Sequence, residues 1–169
     1  GADGIIGLDS LQDLRVLIDF REERIAVEDV SEKKNYKKGF EIVVRARQQL
    51  GQLLITNAVV EGVKAVVIID TGAQASLANY ALRDRVRARR EQEITTTDVN
   101  GVSITGPLSY VRSLQIGGMQ LQNVPLAFAD APAFEALGLA DTPVLSLGMQ
   151  HLKMFDRVAI DFSNQRVLF

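Results

Sequence analysis

The chain has 169 residues, of which 47% are hydrophobic and 24% charged, a composition that predicts one globular domain with a substantial core. Nineteen basic and 21 acidic residues give a net charge of −2, so no overall field favours nucleic acid or an anionic membrane as a partner. The absence of cysteine excludes disulfides, thiolate metal sites and a cysteine nucleophile, and a single histidine, His151, excludes a multi-histidine metal site. No stretch approaches the roughly 20 apolar residues of a membrane-spanning helix.

The N-terminal residues repeat the pattern of the C-terminal ones. Near the start, IIGLDSLQDLRVLIDFREERIAV contains an apolar stretch around a glycine, a short helix and a hairpin that carries Ile-Asp-Phe, and VLSLGMQHLKMFDRVAIDFSNQRVLF at the end has the same order. Asp19 thus corresponds to Asp161. We interpret residues 1–29 as the C-terminal part of a preceding homologous lobe and the polar residues 30–39 as a linker. Residues 40–169 then form the main lobe.

The main lobe is predicted to consist mostly of strands. β-Branched and apolar runs bounded by turn residues predict strands at Phe40–Arg47, Leu53–Val60, Lys64–Ile69, Glu93–Thr97, Val102–Ile104, Leu114–Ile116, Met119–Leu121, Val124–Ala129, Val144–Leu147, Arg157–Phe162 and Gln165–Phe169. Helical spacing predicts helices at Ala75–Arg90, Phe134–Leu139 and Gln150–Phe155. Many short strands with frequent turns favour an all-β, mostly antiparallel fold with a barrel-like core and few helices.

One strand ends on a carboxylate. Residues 66–73 read VVIIDTGA, so a buried β-branched run leads directly into Asp70. A buried carboxylate costs free energy unless hydrogen bonds satisfy it or chemistry uses it. Thr71 can clamp the turn through its hydroxyl, and Gly72 permits close backbone approach and can donate its N–H to the carboxylate. No other aspartate in the chain has this Thr-Gly context.

The chain resembles a retropepsin-like aspartic peptidase, in particular the bacterial ones, in three segments. These are VVIIDTGA, the glycine turns at residues 100–101 and 105–106, and the apolar-glycine segment Leu145–Gly148. The resemblance runs from about Phe40 to Phe169. It implies a closed acid-protease barrel with one or two short helices and a flap hairpin at Asp98–Ser109. It also implies catalysis by two aspartates that share one proton, of which this lobe supplies Asp70.

The resemblance extends to the residues around Asp70. It implies that Thr71, Gly72, Ala73 and Ser76 support the active-site loop. It implies flap and substrate contacts by Asn100, Gly101, Val102, Ile104 and Gly106. It also implies that a strand containing Leu147 and Gly148 passes behind the site. Gln74 and Ser146 depart from the family's pattern. Ser76 is not expected to be a nucleophile, because no histidine is placed to activate it. His151 is expected to be packed on a helix surface.

The leading hypothesis is an aspartic endopeptidase that acts on polypeptides without a metal or an organic cofactor. The second aspartate would come from a homodimer or from an upstream homologous lobe. The alternative is a catalytically inactive module of the same fold that binds peptide or dimerises. The resemblance favours the bacterial periplasm or envelope, with the cytoplasm as the alternative.

Overall fold

The computed structural model describes residues 4, 6–29, 39–86, 89–97, 101 and 103–169. The strands are β1 (Leu14–Asp19), β2 (Arg24–Asp29), β3 (Val43–Arg45), β4 (Arg47–Gln49), β5 (Gln52–Val60), β6 (Val63–Ile69), β7 (Leu77–Ala78), β8 (Arg89–Thr97), β9 (Ser103–Ile116), β10 (Met119–Phe128), β11 (Val144–Leu147), β12 (Arg157–Asp161) and β13 (Arg166–Leu168). The helices are a 3-10 helix (Leu8–Leu11), α1 (Tyr80–Arg83), α2 (Pro132–Ala136) and α3 (Met149–Leu152).

The larger sheet closes into a barrel. Its strand order is β4-β5-β6-β11-β7-β10-β9-β8, and β5 also pairs with β9 through Val59–Gln115 and Val60–Leu114. Six strands, β5-β6-β11-β7-β10-β9, therefore form a closed ring, which β4 and β8 extend. Within the described part of the chain, β6–β11 and β7–β10 pair in parallel and the other pairs are antiparallel. The prediction of an all-β, mostly antiparallel barrel is confirmed.

Alternation along the strands separates two apolar clusters. In β6, Val67 and Ile69 belong to the main core, whereas Ile68 belongs to a second cluster that includes Phe134 and Leu137 from the α2 region. Successive side chains of a strand point to opposite faces. Asp70, two residues beyond Ile68, therefore lies on the side of the second cluster rather than in the main core.

The smaller sheet has an approximate internal two-fold symmetry. Its order is β2-β1-β12-β13-β3, and the central antiparallel pair β1–β12 places Arg15 opposite Asp161 and Asp19 opposite Arg157. Leu17, the residue midway between Arg15 and Asp19, lies opposite Ala159. Each hairpin thus contributes one arginine and one aspartate to the same antiparallel register.

The two aspartates also form the same kind of turn. Asp19 Oδ1 accepts the backbone N–H of Glu22 at 3.0 Å, and Asp161 Oδ1 accepts that of Asn164 at 2.9 Å. The hydrogen bond from Glu22, with the nearby charges of Arg157 and Arg24, holds the pKa of Asp19 below its usual range. The two hairpins therefore share both their register and the hydrogen bond of their turns.

The predicted helix at Ala75–Arg90 is wrong. Leu77–Ala78 forms strand β7, the helix is limited to Tyr80–Arg83, and β8 begins at Arg89. The apolar spacing that suggested one helix arises because β7 lies in the sheet between β10 and β11. Asn79 then ends the strand and begins the helix, since its side chain accepts the backbone N–H of Leu82.

Two smaller differences concern element boundaries. The predicted strand Phe40–Arg47 is divided at Ala46, whose N–H donates to Gln165 O, so that β3 and β4 belong to different sheets. The described residues also contain three short α-helices rather than one or two, with α2 and α3 beginning slightly earlier than predicted. Residues 30–38 of the predicted linker lie outside the described residues.

Candidate active site

Asp70 follows the last residue of β6 and sits beside β11. β11 pairs in parallel with β6, with Ser146 opposite Ile68 and Leu147 opposite Ile69. The backbone N–H of Asp70 continues this ladder by donating to Leu147 O at 3.1 Å. The backbone of Asp70, whose side chain is half-buried, is thus held between two adjacent barrel strands.

Both carboxylate oxygens of Asp70 accept hydrogen bonds. The backbone N–H of Gly72 donates to Oδ1 at 3.0 Å, and the hydroxyl of Ser146 donates to Oδ2 at 2.8 Å. The two donors hold the carboxylate in one orientation. Thr71, between Asp70 and Gly72, is exposed.

The loop after Asp70 is held by the residues that follow β11. The N–H groups of Met149 and Gln150 donate to Ala73 O and Gln74 O, each at 2.9 Å. Gly148 lies so close that a Cβ atom there would be 2.4 Å from Ala75 O. A side chain at position 148 would therefore force the two backbones apart.

Ser76 also links the loop after Asp70 to the segment that follows β11, and we call these contacts the brace. The expectation that no histidine is placed near Ser76 is wrong. Ser76 Oγ accepts the N–H of Gly148 at 2.9 Å and lies 2.6 Å from His151 Nδ1. His151 is buried in α3, and burial lowers its pKa. Ser76 is also fully buried, so the pair connects the loop to α3 and does not present a nucleophile to substrate.

An apolar cavity of about 300 Å³ opens beside Asp70. It is lined by Gln52, Ile68, Asp70, Ala73, Ala75, Leu77, Ile104, Ala131, Pro132, Ala133, Phe134, Leu137 and Ser146. Among these lining residues Asp70 is the only titratable one. The arrangement can therefore place an apolar side chain of a ligand next to a hydrogen-bonded carboxylate.

The β8–β9 hairpin extends to this cavity. Ile104 of β9 is one of the lining residues, and Gly106 pairs with Ile94 of β8. A Cβ atom on Gly106 would be 2.1 Å from Phe128 O, so glycine permits β9 to approach the end of β10. Of the predicted flap residues, Gly101 is described at the hairpin end, while Asn100 and Val102 lie outside the described residues.

Comparison with known proteins decides the family. A family model described as "Aspartyl protease" matches residues 56–151, more than half of the chain, and includes the Asp70 loop. The chain belongs to the aspartyl protease family. It is also similar to the crystal structure of a retropepsin-like aspartic protease from Rickettsia conorii, with 22% identity and a TM-score of 0.46 over 76% of this chain and 86% of that one. No curated protein matches.

The family match confirms the resemblance to an aspartic peptidase. Within the part of the chain that is described, no group of three or more histidine or carboxylate side chains is placed to hold a metal ion. The helices described there are also too short to cross a membrane.

Two polar residues of this aspartyl protease barrel were not assigned a role from the sequence. Ser146 was noted only as a departure from an apolar pattern, and Asn79 was placed inside the predicted helix. Asn79 is fully buried, and its side chain amide donates to Leu139 O, Ala140 O and Thr142 O. Its side-chain oxygen also accepts the N–H of Val144, which connects α1 to the start of β11.

Proposed function

We propose that this protein is an aspartic endopeptidase in which Asp70 is one of two catalytic carboxylates. The observation that carries the proposal is the Asp70 carboxylate itself, held at the end of a barrel strand with a donor on each oxygen and facing an apolar cavity. Membership of the aspartyl protease family supports the assignment. The substrate is a polypeptide, and the cavity beside Asp70 takes one of its apolar side chains.

The reaction requires a second carboxylate. Two carboxylates a few ångströms apart cannot both ionise, so the pair holds one proton. The ionised member removes a proton from a bound water, and the protonated member donates a hydrogen bond to the carbonyl oxygen of the scissile bond. Since Asp70 is the only titratable residue among those that line the described cavity, the second member comes from outside this lobe.

The smaller sheet supports a homologous lobe as the source of that member. By the internal symmetry, Ile25 of β2 corresponds to Val167 of β13. Val167 is fully buried and pairs with Val44 of β3, whereas the Ile25 side chain is 70% exposed. A strand equivalent to β3, contributed by a second lobe, would extend the sheet beyond β2 and cover Ile25. We therefore assign residues 1–29 to the end of an upstream lobe.

The β1–β2 hairpin also affects the homodimer alternative. In this chain β1 pairs with β12 along one edge. In a homodimer with the same two-fold contact, β12 of the second copy would have to pair along that edge. A homodimer built through β12 would have to displace β1. An upstream lobe that ends in β1–β2 needs no such displacement.

We propose that the β8–β9 hairpin closes over the substrate as a flap. Ile104 supports this role because it belongs to β9 and lines the cavity that contains Asp70. Residues near the hairpin end, including Gly101, would then lie over the bound peptide.

The activity is tested by sedimentation of the chain together with cleavage of a mixed peptide library from about pH 4 to pH 7. The Asp70→Asn variant is expected to remove cleavage, whereas Asp141→Asn, a matched change at an exposed aspartate, is expected to leave it intact. Cleavage that survives Asp70→Asn would refute the assignment. A folded chain that binds library peptides and cleaves none of them in any assembly state would favour a binding module.

The source of the second carboxylate is tested by adding inactive subunits. If two copies share one site, adding an equal amount of the Asp70→Asn chain to a fixed amount of wild type should reduce cleavage to about half, because random exchange pairs active with inactive subunits. If the site is completed by a covalently linked lobe, the same addition should have no effect on the two-lobe protein.

A further inference from the structure

Ser146 occupies a position where its side chain faces the carboxylate of Asp70. In the parallel β6–β11 register it lies opposite Ile68, and Ile68 and Asp70 share one face of β6. Its hydroxyl oxygen is 2.8 Å from Asp70 Oδ2, and the residue is 6% exposed. Ser146 also lines the cavity beside Asp70, so this hydrogen bond lies at the cavity wall.

We propose that Ser146 is a positioning residue that orients the Asp70 carboxylate, an inference that rests on the proposed function of Asp70. Gly72 and Ser146 together hold one donor against each oxygen, so rotation of the carboxyl group about its last bond would break both hydrogen bonds. An apolar residue at position 146 would leave Oδ2 without this donor. Ala73, the residue after the Asp-Thr-Gly motif, has no hydroxyl to replace it.

The residues around the carboxylate of Asp70 offer few substitutes for the hydroxyl of Ser146. The cavity lining contains apolar residues from β6, β7, β9 and the α2 region, with Gln52 from β5 as the only polar side chain besides Asp70 and Ser146. No lining residue carries a positive charge that could stabilise the carboxylate in place of the hydroxyl. A hydrogen bond to the charged form of a carboxyl group favours ionisation.

The test compares Ser146→Thr with Ser146→Val in the two-lobe protein or whichever assembly proves active. Threonine and valine have nearly the same shape and both suit a strand, so the pair isolates the hydroxyl from the change in side-chain volume. We expect the valine variant to lose about tenfold or more in kcat with little change in KM, because a hydrogen bond to a charged group is removed. The threonine variant should retain most of the wild-type kcat.

The pH profile gives a readout that a purely structural role would not change. Relative to Ser146→Thr, the acid limb of the kcat profile for Ser146→Val should move to higher pH, since the charged form of the carboxylate then lacks a donor. That limb belongs to the pair of carboxylates and not to Asp70 alone. Equal kcat values and coincident limbs for the two variants would overturn the proposal.

An independent measurement does not need activity. In the full chain with 13C-labelled aspartate carboxyl groups, the Asp70 resonance can be assigned by its absence in Asp70→Asn and followed with pH. Its transition should occur at higher pH in Ser146→Val than in Ser146→Thr, and coincident transitions would refute the hydrogen bond even if the chain cleaves nothing. Separated transitions in a protein whose wild type cleaves no peptide in any assembly state would instead refute the peptidase assignment and leave the hydrogen bond from Ser146 in place.

Discussion

Replacing His151 by asparagine should make the stability of the protein less sensitive to acid. Ser76 Oγ accepts the N–H of Gly148, so its own hydrogen is available to be donated to Nδ1 of a neutral His151. Protonation would turn that nitrogen into a donor and place a charge in a site that is only 3% exposed. The side-chain oxygen of His151→Asn can accept the same hydrogen bond without titrating.

The sign and size of the effect follow from the lowered pKa of His151. Because burial lowers this pKa below the value of 6.5 expected when the chain is unfolded, the unfolded state binds more protons between the two values. The stabilisation contributed by neutral His151 is therefore complete above about pH 6.5 and is lost as the pH falls below it. One proton can account for at most about 1.4 kcal/mol per pH unit, or about 2 kcal/mol between pH 6.5 and pH 5.

Urea denaturation followed by far-ultraviolet circular dichroism between pH 5 and pH 8 measures this difference. We expect the free energy of unfolding of the wild type to fall more steeply below pH 6.5 than that of His151→Asn, with the two curves parallel above pH 7. Carboxyl groups titrate largely below this range, so they contribute little to the difference. Parallel curves over the whole range would refute the buried, neutral histidine and its bond to Ser76.

Two further variants test the brace and the smaller sheet. Gly148→Ala should lower the free energy of unfolding by about 1–3 kcal/mol because its Cβ would overlap Ala75 O, whereas Gly118→Ala, which meets no atom within 4 Å, should stay close to wild type in thermal denaturation. Asp19→Asn should lower the melting temperature at pH 7 by removing the charge that faces Arg157 at 2.9 Å. Since the pKa of Asp19 is lowered, that difference should shrink as the pH falls below about 4, and a constant difference would contradict the ion pair.

The fold class and the candidate catalytic aspartate could be read from the sequence because their signals are local. The β-branched run of β6 and the Asp-Thr-Gly motif directly after it are contiguous, so strand, turn and carboxylate are specified within eight residues. The helical spacing across Ala75–Arg90 was equally local, but there the sheet position between β10 and β11 prevailed over propensity.

The contacts that complete the site are not local. Ser146 reaches Asp70 across 76 residues of chain, and His151 reaches Ser76 across 75. Each depends on the parallel register of β11 against β6, which a single sequence does not reveal, since a shift of one residue would turn Ser146 away from Asp70. The family pattern has an apolar residue at position 146, so the sequence marked Ser146 as a departure and gave no sign that its hydroxyl donates to Asp70.

The segment that follows β11 connects the chemistry of the site to its stability. Residues 146–151 supply the donor to Asp70 Oδ2, the two backbone donors to the loop after Asp70 and the histidine that contacts Ser76. The proposed carboxylate pair needs one proton and fails when both members are protonated, and acid also destabilises the folded state, in which the lowered pKa keeps His151 neutral. The activity of the wild type should therefore fall at low pH for two separable reasons. Ser146→Val should shift the acid limb of the kcat profile, and His151→Asn should reduce the loss of folding stability in acid.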